Sequence, residues 1–283
     1  MIKNIVFIAD FFANEIAGGG ELNNQELVNL LRLVGIKVIE IKCEFVTQEF
    51  LSEHKESGFI VSNFIALNEE KKTYLQKNCN YLIYEHDHKY LITRDPSIYP
   101  EYTASPDQII NFDFYKNAKG VICQSKMHAS VVKKNLNLEN IHSVGGNLWT
   151  SDVLETLRKF SEKEKQEKYS IWDSGNPIKN TTTARAYCKH NGFETDLVGF
   201  LPYKKFLDKI TNNKYFVFFP KTLETLCRVV VECRMAGMTV ITNKKIGALS
   251  EDWFKLKGPP LIDIMIKKRQ EIPSLVIQLL DNK

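Results

Sequence analysis

Short apolar runs of four to six residues alternate with helix-periodic segments along the whole chain, and few folds accept that alternation. Residues 4–10 (NIVFIAD) read as a strand, Gly18, Gly19 and Gly20 follow, and 21–31 then carry apolar residues at helical spacing. Strand and helix recur at 35–41 and 46–55, at 58–61 and 68–78, and at 80–84 with a helix near 109–117. A strand at 120–124, a helix at 126–135 and an extended segment at 141–144 complete the first half. Apolar strands separated by helices predict parallel sheets covered on both faces and joined by right-handed crossovers. The expected class is α/β, with doubly wound Rossmann-like domains.

At 283 residues the chain is long for one such domain, so two are expected, 1–150 and 151–283. The boundary is read at 151–168, where lysine and glutamate interleave as in a solvated connecting helix. Beyond it, strands are predicted at 169–172, 194–198, 215–219 and 239–242, and helices at 182–191, 202–212, 222–236 and 271–280. The final helix is free to pack back on the first domain.

Composition narrows the function classes. With 43% hydrophobic and 25% charged residues the chain has enough apolar surface to fold, which excludes a disordered polymer. No apolar run reaches the roughly 18 residues of a membrane span, and the start turns acidic too soon for a signal peptide. A cytoplasmic protein without an integral membrane segment is expected. The six cysteines form no C-x-x-C pair and lie near no histidine at zinc spacing, so free thiols and no metal site are expected. Residues 1–150 hold 15 Lys+Arg against 18 Asp+Glu, and 151–283 hold 23 against 16. The second half is therefore the better home for an anionic ligand.

In open parallel sheets ligands sit at the carboxyl ends of strands, beside helix N-termini. Three polar groups stand there. Gly18-Gly19-Gly20-Glu21 precedes the first long helix and suits a phosphate cradle, although a plain flexible loop or helix cap would use the same glycines. Glu85-His86-Asp87-His88 follows the strand at 80–84; the alternative is a surface loop, and two alternating histidines do not complete a metal set. Glu224 and Glu232 lie eight apart after the strand at 215–219, some 80° from one another around a helix. If Glu224 precedes the helix proper and Glu232 lies on it, both can face one ligand.

These residues resemble the GT-B-fold retaining glycosyltransferases of the large family-four, E-x7-E type. Val198-Gly199-Phe200-Leu201-Pro202, the Glu224/Glu232 pair, Met235-Ala236-Gly237-Met238-Thr239-Val240-Ile241 and the loop 243–251 recur in that family's order. Gly18-Gly19-Gly20-Glu21 is similar to its donor loop, His86-Asp87 to its His-Asp pair, 117–125 to its Asn-Ala-Asp…Ser segment, and Gly145-Gly146-Asn147 to its Pro-Asn-Gly turn. Two features depart from the pattern. Thr225-Leu226-Cys227 replaces the usual Gly-Phe-Gly, and Ser174 stands where the basic partner of Lys179 is expected, with Arg228 or Lys221 as substitutes.

The resemblance implies two Rossmann-like domains facing across a cleft, the first on the acceptor side and the second binding a nucleotide-diphosphate sugar. It implies a metal-independent hexosyl- or pentosyltransferase acting with retention, with the nucleotide sugar as co-substrate and no other cofactor. Glu224, His86 and Asp87 would be catalytic, with Asp87 fixing the His86 tautomer. Gly18, Gly19, Gly20, Lys179, Arg228, Leu226, Cys227 and Glu232 would bind the donor, with Glu232 on the ribose. Glu85, His88, Arg94 and Tyr99 would face the acceptor: a glycan, a lipid-linked sugar or a hydroxymethylated DNA base. A catalytically silent nucleotide-sugar-binding protein and a sugar-nucleotide epimerase on the same fold are the alternatives. A dinucleotide oxidoreductase is disfavoured, since no G-x-G-x-x-G follows the first strand.

Overall fold

Among the described residues of the computed structural model, 2–16 and 18–281, ten strands form two sheets, and every strand pairing is parallel. The outermost residues of the two expected domains, 1, 282 and 283, lie outside that set. The chain divides into two compact units, residues 1–148 with 268–283, and residues 149–267.

In the first unit, β1 (Asn4–Ala9), α1 (Gly19–Leu33), β2 (Lys37–Lys42), α2 (Gln48–Glu53), β3 (Gly58–Val61) and α3 (Glu69–Asn78) are followed by β4 (Asn80–Tyr84). Then come α4 (Phe112–Lys116), β5 (Gly120–Cys123), α5 (Lys126–Leu136) and β6 (Ile141–Ser143). The strands lie in the order β2-β1-β3-β4-β5-β6. Side chains alternate between sheet faces, so one strand feeds two cores. Ile5, Phe7, Ile60, Leu82 and Ile122 pack with Leu27 and Leu31 of α1; Val6, Ile8, Phe59, Ile83 and Val121 pack on the opposite face with Val132 and Phe114. Burial on both faces is why these strands are apolar without interruption.

The second unit contains α6 (Ser151–Glu162), β7 (Gln166–Trp172), α7 (Thr181–His190), β8 (Thr195–Val198), α8 (Tyr203–Ile210), β9 (Asn213–Phe218), α9 (Arg228–Met235) and β10 (Thr239–Thr242). Its sheet runs β10-β9-β7-β8. Phe216 and Phe218 face the larger core, built with α6, α8 and α9, and Val217 faces a smaller one with Ala184 and Cys188 of α7. The last helix, α10 (Pro259–Asp281), gives Leu261, Ile262 and Met265 to this core, while its later residues Ile272, Val276, Leu279 and Leu280 lie in a core of the first unit.

Four expectations from the sequence are corrected. Residues 151–168 are not a solvated connector: α6 buries Val153, Leu154 and Leu157, and 166–168 open β7. The helix expected over 222–236 begins only at Arg228, because Cys227 adopts a left-handed conformation (φ 75°) and Glu224 pairs in extended form with Ile246. The helix near 109–117 shortens to α4, since Leu91 and Ile109 form an antiparallel bridge. The final helix starts twelve residues before 271, at Pro259, where the ring presets the backbone for a helix's first turn.

Candidate functional site

In each sheet the strand order reverses once near its first strand, between β7 and β9 in the second unit and between β1 and β3 in the first. Loops leaving the two strands beside such a reversal part in opposite directions and open a ligand crevice.

In the second unit, the loop after β7 ends in a 3-10 turn, Pro177–Lys179, opened by Asn176, whose side chain accepts from Ile178 N–H. Lys221 N–H donates to Ile178 C=O at 2.8 Å and Asn180 Nδ2 to Phe219 C=O at 2.8 Å, which ties this turn to the loop after β9. That second loop is held in turn by the segment after β10. Glu224 N–H donates to Lys245 C=O (2.9 Å) and Gly247 N–H to Glu224 C=O (2.8 Å). The result places Lys179 Nζ 2.6 Å from Glu224 Oε1, with both side chains largely buried. Burial alone would lower the Lys179 pKa; the adjacent Glu224 carboxylate outweighs it and holds the ammonium above its ordinary value. The ammonium also lies 5.6 Å from the Trp172 ring centre.

Glu232 sits on α9, so Glu224 precedes the helix and Glu232 lies on it. Glu232 Oε1 accepts from Trp149 Nε1 at 2.8 Å and from the Tyr203 hydroxyl at 2.6 Å. Arg228 stacks its guanidinium 4.4 Å from the Trp149 ring centre and brings Nε to 3.5 Å from the same oxygen. Arg228 is thus engaged with Glu232 and Trp149. Cys227 lies between the acidic residues. Burial pushes its thiol well up, the Glu224 and Glu232 carboxylates add to this, and Lys179 opposes it. Leu226 is fully buried in the core, and its C=O accepts from Ala248 N–H at 3.1 Å.

In the first unit, Gly18 caps α1 without a side chain, and the amides of Gly19 and Gly20 open the helix, where no intrahelical acceptor exists. Gly20 packs on His86: a Cβ there would stand 3.3 Å from the imidazole Cγ. His86 Nε2 lies 2.6 Å from Asn24 Oδ1, and Gln124 Nε2 meets Nδ1. Asn24 is itself oriented by donating Nδ2 to Ser62 Oγ at 2.9 Å. Glu21 Oε1 accepts from Asn63 Nδ2 at 2.9 Å, and burial raises the Glu21 carboxyl. Ser62 and Asn63 follow β3, His86 follows β4 and Gln124 follows β5, so all stand at the carboxyl end of the sheet. Asn24, Ser62, Asn63 and Gln124 were not evident from sequence; the available signal was their place one or two residues past a strand, or on the first turns of α1.

Asp87 does not fix the His86 tautomer. Its Oδ1 binds Lys89 Nζ at 2.6 Å, its Oδ2 lies 3.3 Å from Arg94 Nη1, and its C=O accepts from His128 Nε2 at 3.0 Å. Burial would raise its carboxyl, but Lys89 and the other donors more than offset this and hold it far below the usual range. Glu85 and His88 do not face an acceptor either; both are fully buried. Glu85 takes Lys89 Nζ (2.8 Å), Asp87 N–H (3.0 Å) and the Tyr115 hydroxyl, and burial pushes its carboxyl up against the pull of Lys89. His88 Nδ1 pairs with the Tyr90 hydroxyl at 3.0 Å, and burial lowers its pKa to about 4. Arg94 is half-exposed with φ 54°, and the Tyr99 hydroxyl donates to Gln108 at 3.2 Å, both in the excursion between β4 and α4.

No protein-family model matches the sequence, and no curated protein matches it either. Solved structures do match it in shape. The catalytic domain of starch synthase IV from Arabidopsis thaliana, bound to ADP and acarbose, aligns with a TM-score of 0.60 at 10% identity over 100% of this chain and 96% of that one. Anabaena HepE in complex with UDP gives 0.53 at 12% identity over 99% and 97%. An alpha-glucosyltransferase bound to UDP and a 13-mer DNA containing a HMU base gives 0.51 at 10% over 97% and 91%. The chain has a GT-B fold. No helix among the described residues is long and apolar enough to cross a membrane.

Proposed function

We propose that this GT-B chain is a glycosyltransferase that moves a sugar from a nucleotide-diphosphate donor to an acceptor hydroxyl with retention at the anomeric carbon. The observation that carries the reading is the Lys179–Glu224 pair at the strand-order reversal of the second sheet. An ammonium there neutralises charge growing on the leaving diphosphate, and a carboxylate beside it accepts hydrogen bonds from sugar hydroxyls. Glu232, with Oε1 held by Trp149 and Tyr203, would meet ribose hydroxyls through its second oxygen. In the transfer the C1–O(phosphate) bond breaks, C1–O(acceptor) forms on the same face, and the departing phosphate oxygen takes the acceptor's proton. His86 and the first amides of α1 are the polar groups at the carboxyl end of the first sheet, and no metal is needed in this route.

UDP in two of the solved neighbours supports a nucleotide donor, and the DNA-bound one keeps a hydroxymethylated base beside glycans and lipid-linked sugars as acceptor. A second reading, a silent nucleotide-sugar-binding protein, is favoured by one observation: a serine, Ser174, bonded to Asn176 and Thr181 of its own loop, stands where a second cation is expected. The test is incubation with a panel of nucleotide sugars, with and without acceptors, following nucleotide release. Release supports transfer. Binding without release supports the silent protein, and conversion of the donor sugar with no acceptor present identifies an epimerase.

A further inference from the structure

We infer that Asn24 and Gln124 are positioning residues that hold the His86 imidazole in one neutral tautomer, protonated at Nε2 with Nδ1 as acceptor. The inference rests on the site reading just given and assigns what His86 does within it. Asn24 Oδ1 lies 2.6 Å from Nε2 and must receive a proton from it, because the Asn24 amide nitrogen is turned to Ser62 Oγ at 2.9 Å. On the other side of the ring Gln124 Nε2 can only donate, so Nδ1 must accept. Asn24, Ser62 and Gln124 are each more than nine-tenths buried, which makes an unmade bond at any of them expensive. The clamp spans three elements, α1 and the ends of β3 and β5, and Gly20 backs the ring from the side.

The charged groups around the ring leave this tautomer in place. Glu21 on α1 is bonded to Asn63, Asp87 next in the chain is held by Lys89 and Arg94, and His128 on α5 donates to the Asp87 carbonyl. The Tyr84 ring lies 4.9 Å from the imidazole. With its one basic lone pair taken by Gln124, His86 is a fixed polar contact and not a general base.

Long-range nitrogen–proton spectra of the ¹⁵N-labelled full chain test this, with His86→Gln assigning the signal. The wild-type protein at pH 7–8 is expected to show the Nε2–H pattern alone. Asn24→Asp places a carboxylate against Nε2–H, so the imidazolium should persist to higher pH than in wild type. Should that variant not fold, Ser62→Ala frees the Asn24 amide to turn, and a second tautomer should appear. An Nδ1–H or averaged pattern in wild type overturns the inference, as does an unmoved titration in Asn24→Asp or an unchanged single pattern in Ser62→Ala. The spectra need no donor, so the two readings fail separately. The Nε2–H pattern without nucleotide-sugar turnover sinks the transferase reading alone, and turnover with the other tautomer sinks the clamp alone.

Discussion

Lys179 and Glu224 hold each other at 2.6 Å through one N–H and one carboxylate oxygen, which leaves two ammonium protons and Glu224 Oε2 for a donor. Glu224→Ala should leave the fold intact and cut turnover by about 10²–10³, the usual loss for a deleted transition-state contact. Lys179→Ala should weaken UDP binding in calorimetry, since Glu224 is then left facing the diphosphate uncompensated. Cys227, in the left-handed region at φ 75°, gives a prediction of opposite sign. Cys227→Gly removes a backbone penalty of about 1–2 kcal/mol, so the melting temperature should hold or rise despite the lost thiol packing. Buried His88 bears on acid stability. Its pKa is lowered to about 4 by burial, so the unfolded chain takes up a proton near pH 6.5 that the native state refuses. Its contribution is complete above pH 6.5 and fades as pH falls toward 4, by at most about 3 kcal/mol. His128 acts in the same direction, and Glu85, raised by burial, opposes them. Urea titrations at pH 7.5, 5.5 and 4.5 should show this decline, and His88→Asn should flatten it. Which residues were legible follows from their chemistry. Lys179, Glu224 and His86 stand out because charged or titratable groups beside buried strands are rare, whereas Asn24, Ser62 and Gln124 are common neutral residues. Asp87 goes elsewhere because the chain bends at 86–87 after β4 and Lys89 and Arg94 take its carboxylate.

The strands were readable because burial on both faces leaves an unbroken apolar run, a signal that needs no partner to interpret. The stretch 222–227 was not, since Leu223, Leu226 and Val230 mimic helical spacing. What keeps it out of a helix are backbone bonds of Glu224 to Lys245 and Gly247, which no local pattern records. Helix α6 reads as solvated for the reverse reason, its three buried residues Val153, Leu154 and Leu157 being outnumbered by five charged ones. At the head of α1, Gly20→Ala should raise helix propensity and leave thermal stability unchanged or higher. Its new Cβ, 3.3 Å from the imidazole Cγ, should nonetheless displace His86 and lower turnover, separating helix stability from site geometry. Gly58 on β3 should behave otherwise. A Cβ there meets Ile2 Cδ1 at 2.3 Å and Leu280 Cδ1 at 2.9 Å, so Gly58→Ala should destabilise by about 1–3 kcal/mol in urea unfolding.

The first unit is closed by the end of the chain. Residues 268–281 give its core Ile272, Val276, Leu279 and Leu280, and Arg269 pairs with Glu26 of α1. Ending the chain after residue 267 removes all of these, each buried aliphatic side chain being worth about 2–5 kcal/mol. The truncated protein should lose the cooperative unfolding of its first unit, read by amide exchange in β1, β3 and β5.

That closure makes residues 149–267 an insertion within another unit, joined to it covalently at both ends. A protease that severs one joint would release neither unit, because the second joint still bridges them and the tail stays lodged by its four aliphatic side chains. Tandem domains joined by a single linker separate after one cleavage; this chain requires two.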